Sequence, residues 1–169
     1  MWKVALAILL LVALMGCGRT ENPDKCLEEG FIHFQQQDYD GAIKNYERAI
    51  ALGAKSPNAY NMLGLAYRFK FQQTGKPELQ QNEIDAFEKA VSIDPKYWVA
   101  MINLGTTYYS RGDQAKAIPW FKKALALNPN HPERAQIEKM IAEGAKAHEA
   151  GKPGKKPAPP GREKRDDSE

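Results

Sequence analysis

The pattern of apolar and polar positions divides the chain into three stretches. Residues 4–15 are twelve apolar side chains without a break, introduced by Met1-Trp2-Lys3. A helix needs about twenty apolar residues to cross a bilayer, so this run is too short to span one. Its length, positive start and small closing residue fit the apolar region of a secretory signal peptide. From residue 23 to 149 the apolar positions recur at helical spacing, which predicts amphipathic helices. From residue 151 onward, four prolines, three glycines and ten charged residues among nineteen cannot build a core. Residues 150–169 are therefore expected to be a disordered, basic, proline-rich tail.

The middle stretch repeats. Tyr60, Leu63, Gly64 and Tyr67 stand in the same spacing as Met101, Leu104, Gly105 and Tyr108, and as Cys26, Glu29, Gly30 and His33. Sixteen residues after Gly30 and Gly105 come Tyr46 and Phe121, with Ala42 and Ala117 four residues before each ring. Ala49, Ala90 and Ala124 lie three residues after Tyr46, Phe87 and Phe121, and Pro95 and Pro129 lie five beyond their alanines. This resembles the tetratricopeptide repeat, a 34-residue helix–turn–helix unit. The resemblance implies an all-α solenoid of about three repeats, 23–56, 57–97 and 98–131, with a capping helix over 132–149.

The physics of these columns agrees with the resemblance. Small residues such as Gly64 and Ala90 let helices approach, and Tyr67 and Phe87 fill the space beside them. Asp94-Pro95 and Asn128-Pro129 separate units, because the residue before proline disfavours helix. One hairpin cannot bury its apolar face, so stacking must supply the core. The second unit carries seven extra residues around 70–82. Seven is close to two helical turns, so each arm should gain about one turn and the hairpin should project. The turn is expected at Thr74-Gly75-Lys76-Pro77, with Pro77 opening the next helix. Ala135, Ile137, Met140, Ile141 and Ala145 give 132–149 the apolar face of a cap.

The first stretch ends at Leu14-Met15-Gly16-Cys17, which resembles the lipobox of bacterial lipoproteins. That resemblance implies cleavage of residues 1–16, acylation of Cys17 and a tether over 17–22. Gly18 follows the cysteine where such proteins retained in the inner membrane carry Asp. The expected location is therefore the cell envelope, lipid-anchored, at the outer membrane facing the periplasm. Each buried methylene contributes about 0.8 kcal/mol, so two or three acyl chains would hold the protein there.

Charge narrows the function. The net charge is +3, but residues 17–150 carry 17 basic and 17 acidic side chains. A balanced body argues against nucleic-acid binding, which needs clustered Lys and Arg. Two cysteines exclude a disulfide-dense scaffold. His33, His131 and His148 show no zinc-ligand spacing, and no Gly-x-Ser-x-Gly elbow, phosphate-binding loop or HExxH motif is present. His33 stands in a Tyr column and is expected to pack there. Cys26 takes an inward column as a small hydrophobe. No cofactor, metal, small-molecule substrate or catalytic activity is expected.

What remains is a surface. Stacked units curve, and the first helix of each lines the concave side. Once the repeat signature is assigned to the core, the other face holds Leu27, Phe31 and Phe34, then Asn58, Asn61, Met62, Leu65, Arg68 and Phe69. Val99, Ile102, Asn103, Thr106 and Tyr109 complete it, with Ile137 and Met140 at the far end. An apolar row with a few polar groups marks a partner site. The expectation is a groove for a protein or peptide partner in the envelope, with Asn61, Arg68 and Asn103 as polar holds. On that reading Arg68→Ala weakens binding and barely changes the melt. The groove known to clamp chaperone carboxylate tails has Lys where this chain has Leu27 and Val99, so that specificity is not implied. Small repeat lipoproteins of this kind resemble those that assist pilus, secretin or outer-membrane assembly, or recruit cell-wall hydrolases. The alternative is a structural element whose groove pairs with another copy or is filled by its own C-terminal helix.

Overall fold

Prolines or side-chain caps open each of the first four helices. In a computed structural model that describes residues 22–150, the first helix, α1 (Pro23–Gln35), opens on a proline, with the Asn22 side chain accepting from the Asp24 N–H at 2.9 Å. Asp38 caps α2 (Tyr39–Ala51) by accepting from the Gly41 N–H, and Ser56 caps α3 (Pro57–Thr74) through the Ala59 N–H. Such caps satisfy donors that the first turn leaves unpaired. Then follow α4 (Pro77–Ile93), α5 (Trp98–Ser110), α6 (Gln114–Leu127) and α7 (Arg134–Ala150). All regular structure among the described residues is helical. The lipobox, Cys17 and the tail beyond residue 150 lie outside them.

The second unit carries the longer arms that its extra residues imply. Helices α3 and α4 have 18 and 17 residues, whereas α1 and α2 have 13 each. Gly75 closes α3 in the left-handed region at φ 67°, where a residue without Cβ is unstrained, and its N–H bonds back to the Phe71 carbonyl. Pro77 then starts α4. The last helix begins at Arg134, two residues beyond the proline expected to open it, because 132–133 form a turn in which the Glu133 N–H donates to His131 Nδ1.

Each helix packs on the next along the chain. Within every unit a glycine faces a ring: Gly30 meets Tyr46, Gly64 meets Phe87 and Gly105 meets Phe121. The three rings are at most 1% exposed, and Ala42, Ala49, Ala90 and Ala117 beside them are sealed from solvent. Burial pushes the Tyr46 phenol up to about 12, so it enters this column as a neutral ring. Between units runs a second contact with its own period. Tyr67 donates to Glu47, and Tyr108 donates to Glu88, each pair 20 residues apart. Burial first, then the Glu47 carboxylate, holds the Tyr67 phenol above its ordinary value.

His33 stands in the Tyr column of the first unit and does something else there. Its Nδ1 lies 2.7 Å from the Asp38 carboxylate, so it braces the cap of α2. The Gly41 N–H first, then His33, hold the Asp38 carboxyl below its ordinary value. The packing role expected for His33 is thus replaced by a polar one on a partly exposed side chain. Cys26 is buried and free, as its column implies.

Gly64→Ala tests the glycine–ring contact. The added methyl would meet three Phe87 ring atoms at 2.6, 2.7 and 2.9 Å. Alanine gains about 1 kcal/mol of helix propensity over glycine, while overpacking costs about 1–3 kcal/mol. Because Phe87 is fully buried and has no room to yield, the variant should be net destabilised in urea melts.

Candidate protein-binding face

The first helices of the units, together with α7, stand side by side. Helix α1 meets α3 where Phe34 and Phe69 pack edge to face at 5.4 Å, with Tyr39 stacked on Phe69. Helix α3 meets α5 where Asn103 Nδ2 donates to Asn61 Oδ1 at 2.9 Å. Helix α5 meets α7 where the Tyr109 hydroxyl donates to Glu143 at 2.7 Å. The residues expected to line a groove all lie along this row, in different states.

On the first two units the row is apolar and open. Phe31 is 45% exposed, while Leu27, Met62 and Leu65 are half-buried against the unit cores. Asn58 and Thr106 are exposed; Asn58 accepts weakly from the Tyr97 hydroxyl, and Thr106 donates back to the Ile102 carbonyl. On the third unit Ile102 and Tyr109 are half-buried too, with the last helix beside them, and Thr106 stays exposed. Ile102 and Tyr109 pack with Ile137, Met140 and Ile141 of α7. Phe34 and Phe69 are committed to the aromatic trio with Tyr39.

The three polar residues expected to hold a partner are partnered within the chain. Arg68 Nε donates to Glu83 Oε1 at 2.8 Å, Nη1 to Asn103 Oδ1 at 3.1 Å, and Nη2 to both the Asn103 carbonyl and Thr107 Oγ1 at 3.0 Å. The Thr107 hydroxyl donates to the same Glu83 oxygen. The guanidinium also lies 5.1 Å from the Phe87 ring centroid. Glu83 is 2% exposed and Asn61 is 4% exposed. A carboxylate that deep must be paired, and Arg68 pairs it. Asn61 and Asn103 spend their facing groups on each other, so neither Arg68 nor these amides present themselves as the free holds expected from the sequence.

Glu83 and Thr107 were not legible as site residues from the repeat columns alone, yet the columns contain the signal. Four residues before Phe87 stands Glu83, where Tyr46 and Phe121 have Ala42 and Ala117. Three residues after Leu104 stands Thr107, where Leu63 is followed by Ala66. Polar groups in columns that elsewhere hold buried alanine imply a shared partner.

Elsewhere the chemistry is sparse. Among the described residues no group of His, Cys, Asp and Glu is placed to hold a metal, and no helix is long and apolar enough to cross a membrane.

Family models place the repeats. The model described as TPR repeat matches 30–68, and that described as Tetratricopeptide repeat matches 98–131. Residues 30–68 and 98–131 are tetratricopeptide repeats. A Mycosarcoma maydis relative, small glutamine-rich tetratricopeptide repeat-containing protein 2, is 30% identical over 103 residues. The match takes in 61% of this chain and 27% of that protein. The Arabidopsis OM64 TPR domain superposes with a TM-score of 0.63 at 24% identity, covering 75% of this chain and 98% of that one. The Yersinia enterocolitica type III secretion chaperone SycD, solved with a peptide of the translocator YopD, gives 0.64 at 16% identity, covering 74% and 93%. Both structures establish the TPR fold for this chain.

The buried pair makes Arg68 a stability residue, which reverses the expectation of an unchanged melt. Arg68→Ala leaves the buried Glu83 carboxyl without its cationic partner. Breaking a buried pair from one side costs about 3–5 kcal/mol. Chemical denaturation should show a loss of that order, whereas Lys122→Ala on the exposed face of α6 should leave the midpoint unchanged.

Proposed function

We propose that this chain is a non-catalytic TPR interaction module, lipid-anchored at Cys17 on the periplasmic face of the outer membrane, that binds a protein or peptide segment on an apolar strip. The strip is Leu27, Phe31, Met62 and Leu65. The observation that carries the reading is Phe31, a large ring left 45% exposed on α1 in the same row as these half-buried side chains. TPR relatives bind peptides or proteins: SycD was solved with a YopD peptide, and an RPAP3 TPR with an HSP90 peptide. Such contacts rest on buried apolar anchors more than on rim charges.

Two observations shape the partner. Arg68 is spent on Glu83, and Leu27 and Val99 stand where a carboxylate clamp needs Lys, so a carboxylate terminus gains little from this face. The expected ligand is an apolar internal segment, extended or helical. Helix α7 packs beside Ile102 and Tyr109, which supports the second reading at the third unit alone; Phe31 on the first unit stays exposed.

The anchor and the strip are tested separately. Mass spectrometry of the native protein should find a chain beginning at Cys17 with added acyl mass, and a chain starting elsewhere without it removes the anchor. Cys17→Ser should move the protein to the soluble fraction with its helical circular dichroism intact, because the anchor lies outside the repeats. For the strip, a photo-crosslinking phenylalanine analogue at position 31 should give protein adducts in living cells. Met62→Asp should abolish them by placing a charge in the apolar contact. The same analogue at Lys122 should give none, and equal yields at both positions would exclude the strip.

A further inference from the structure

The two junctions between units differ in what they bury. Where the second unit stacks on the first, the facing columns hold Ala42, Phe34 and Ala66, and the two alanines are fully buried. Where the third stacks on the second, the same columns hold Glu83, Arg68 and Thr107. In the first junction the buried columns are thus apolar, and its polar contacts, Tyr67–Glu47 and Lys70–Asp40, stay at the exposed edge. A buried ion pair in the second adds little net stability over such a junction, since desolvation offsets most of the attraction. What it adds is direction: hydrogen bonds weaken steeply off their preferred distances and angles, while contacts between alanines tolerate sliding.

We propose that the Arg68–Glu83–Thr107 cluster is a register lock that fixes the angle at which the third unit stacks on the second, and with it the spacing between α3 and α5. Three helices converge on one atom, because Glu83 Oε1 on α4 accepts from Arg68 on α3 and Thr107 on α5. The fork of Arg68 makes four bonds, one of them to the Asn103 backbone carbonyl. That bond pins the α5 main chain itself, which a side-chain rotation cannot release. The Phe87 ring under the guanidinium and the Asn61–Asn103 bond close the cluster from either side. A rotation of the third unit would break several of these buried bonds together, whereas the first junction holds the aromatic trio of Phe34, Tyr39 and Phe69 and two exposed polar contacts, Tyr67–Glu47 and Lys70–Asp40. The inference concerns the stack itself and does not require a ligand on the strip.

The test measures the angle apart from stability. In full-length protein with Cys17→Ser and Cys26→Ala, spin labels at Lys89 on α4 and Lys122 on α6 report distances across the second junction. The unaltered cluster should give one narrow distance distribution. Arg68→Lys keeps the charge and loses the fork, and Arg68→Met/Glu83→Leu removes both charges while keeping bulk. Both should stay helical by circular dichroism yet broaden the distribution and shift its mean. A folded variant of either kind with the unaltered distribution overturns the lock. Loss of helical signal in both variants overturns it equally, because the cluster would then hold the fold together rather than set an angle.

Discussion

The structure depends on a close approach of two helices that only glycine permits. In each unit a glycine on the first helix lies flat against a ring of the second, at Gly30–Tyr46, Gly64–Phe87 and Gly105–Phe121. The ring takes the volume that a side chain at the glycine would have filled, and small alanines on the flanks complete the seal. Everything else is arranged around these contacts. Once each hairpin is closed in this way, its remaining apolar columns point at the neighbouring unit, and stacking follows because that is the one place left to bury them.

Stacking is then read out by a repeating polar contact. Tyr67 reaches Glu47 and Tyr108 reaches Glu88, the same tyrosine column of one unit meeting the same glutamate column of the unit before it. The first unit has His33 in that column, and the imidazole turns to Asp38 in its own hairpin. Lys25 and Glu29 likewise replace the apolar residues that Ala59 and Leu63 supply in the second unit. The leading face of α1 is thus polar where the following units are apolar, with Ile32 as the exception at 44% exposure. At the other end α7 packs Ile137, Met140 and Ile141 against the core of the third unit, and Ile137 is buried there.

These two ends determine what the molecule has left to offer. Along one row of helices, contacts with α7 form a seam at the third unit, and Phe31 marks an accessible strip on the first. In between, the polar cluster of Arg68, Glu83 and Thr107 occupies columns that the repeat fills with small or apolar residues elsewhere. A charge inside such a seam departs from the local rule of the repeat, and its surroundings compensate it completely. That combination gives the second junction a buried directional contact, where the first keeps its polar contacts on exposed side chains.

The sequence by itself determined the helices and their order. Proline, cap residues and the glycine–aromatic columns act within a few residues or within one hairpin, so spacing along the chain was enough to place them. The extra turn in α3 and in α4 was also legible, because seven residues divide into two helical turns. The candidate face was legible as a set of positions on α1, α3 and α5, and those helices stand side by side. What the sequence could not decide is which of them remain available. Arg68 is a solvated or ligand-facing cation by its helical phase, and becomes an interior one because Glu83, fifteen residues away, folds back beneath it. Asn61 finds Asn103 from 42 residues away, and Tyr109 finds Glu143 from 34. Periodicity assigns a residue to a face of its own helix; whether another helix has already claimed that face is a property of the packed tertiary structure alone.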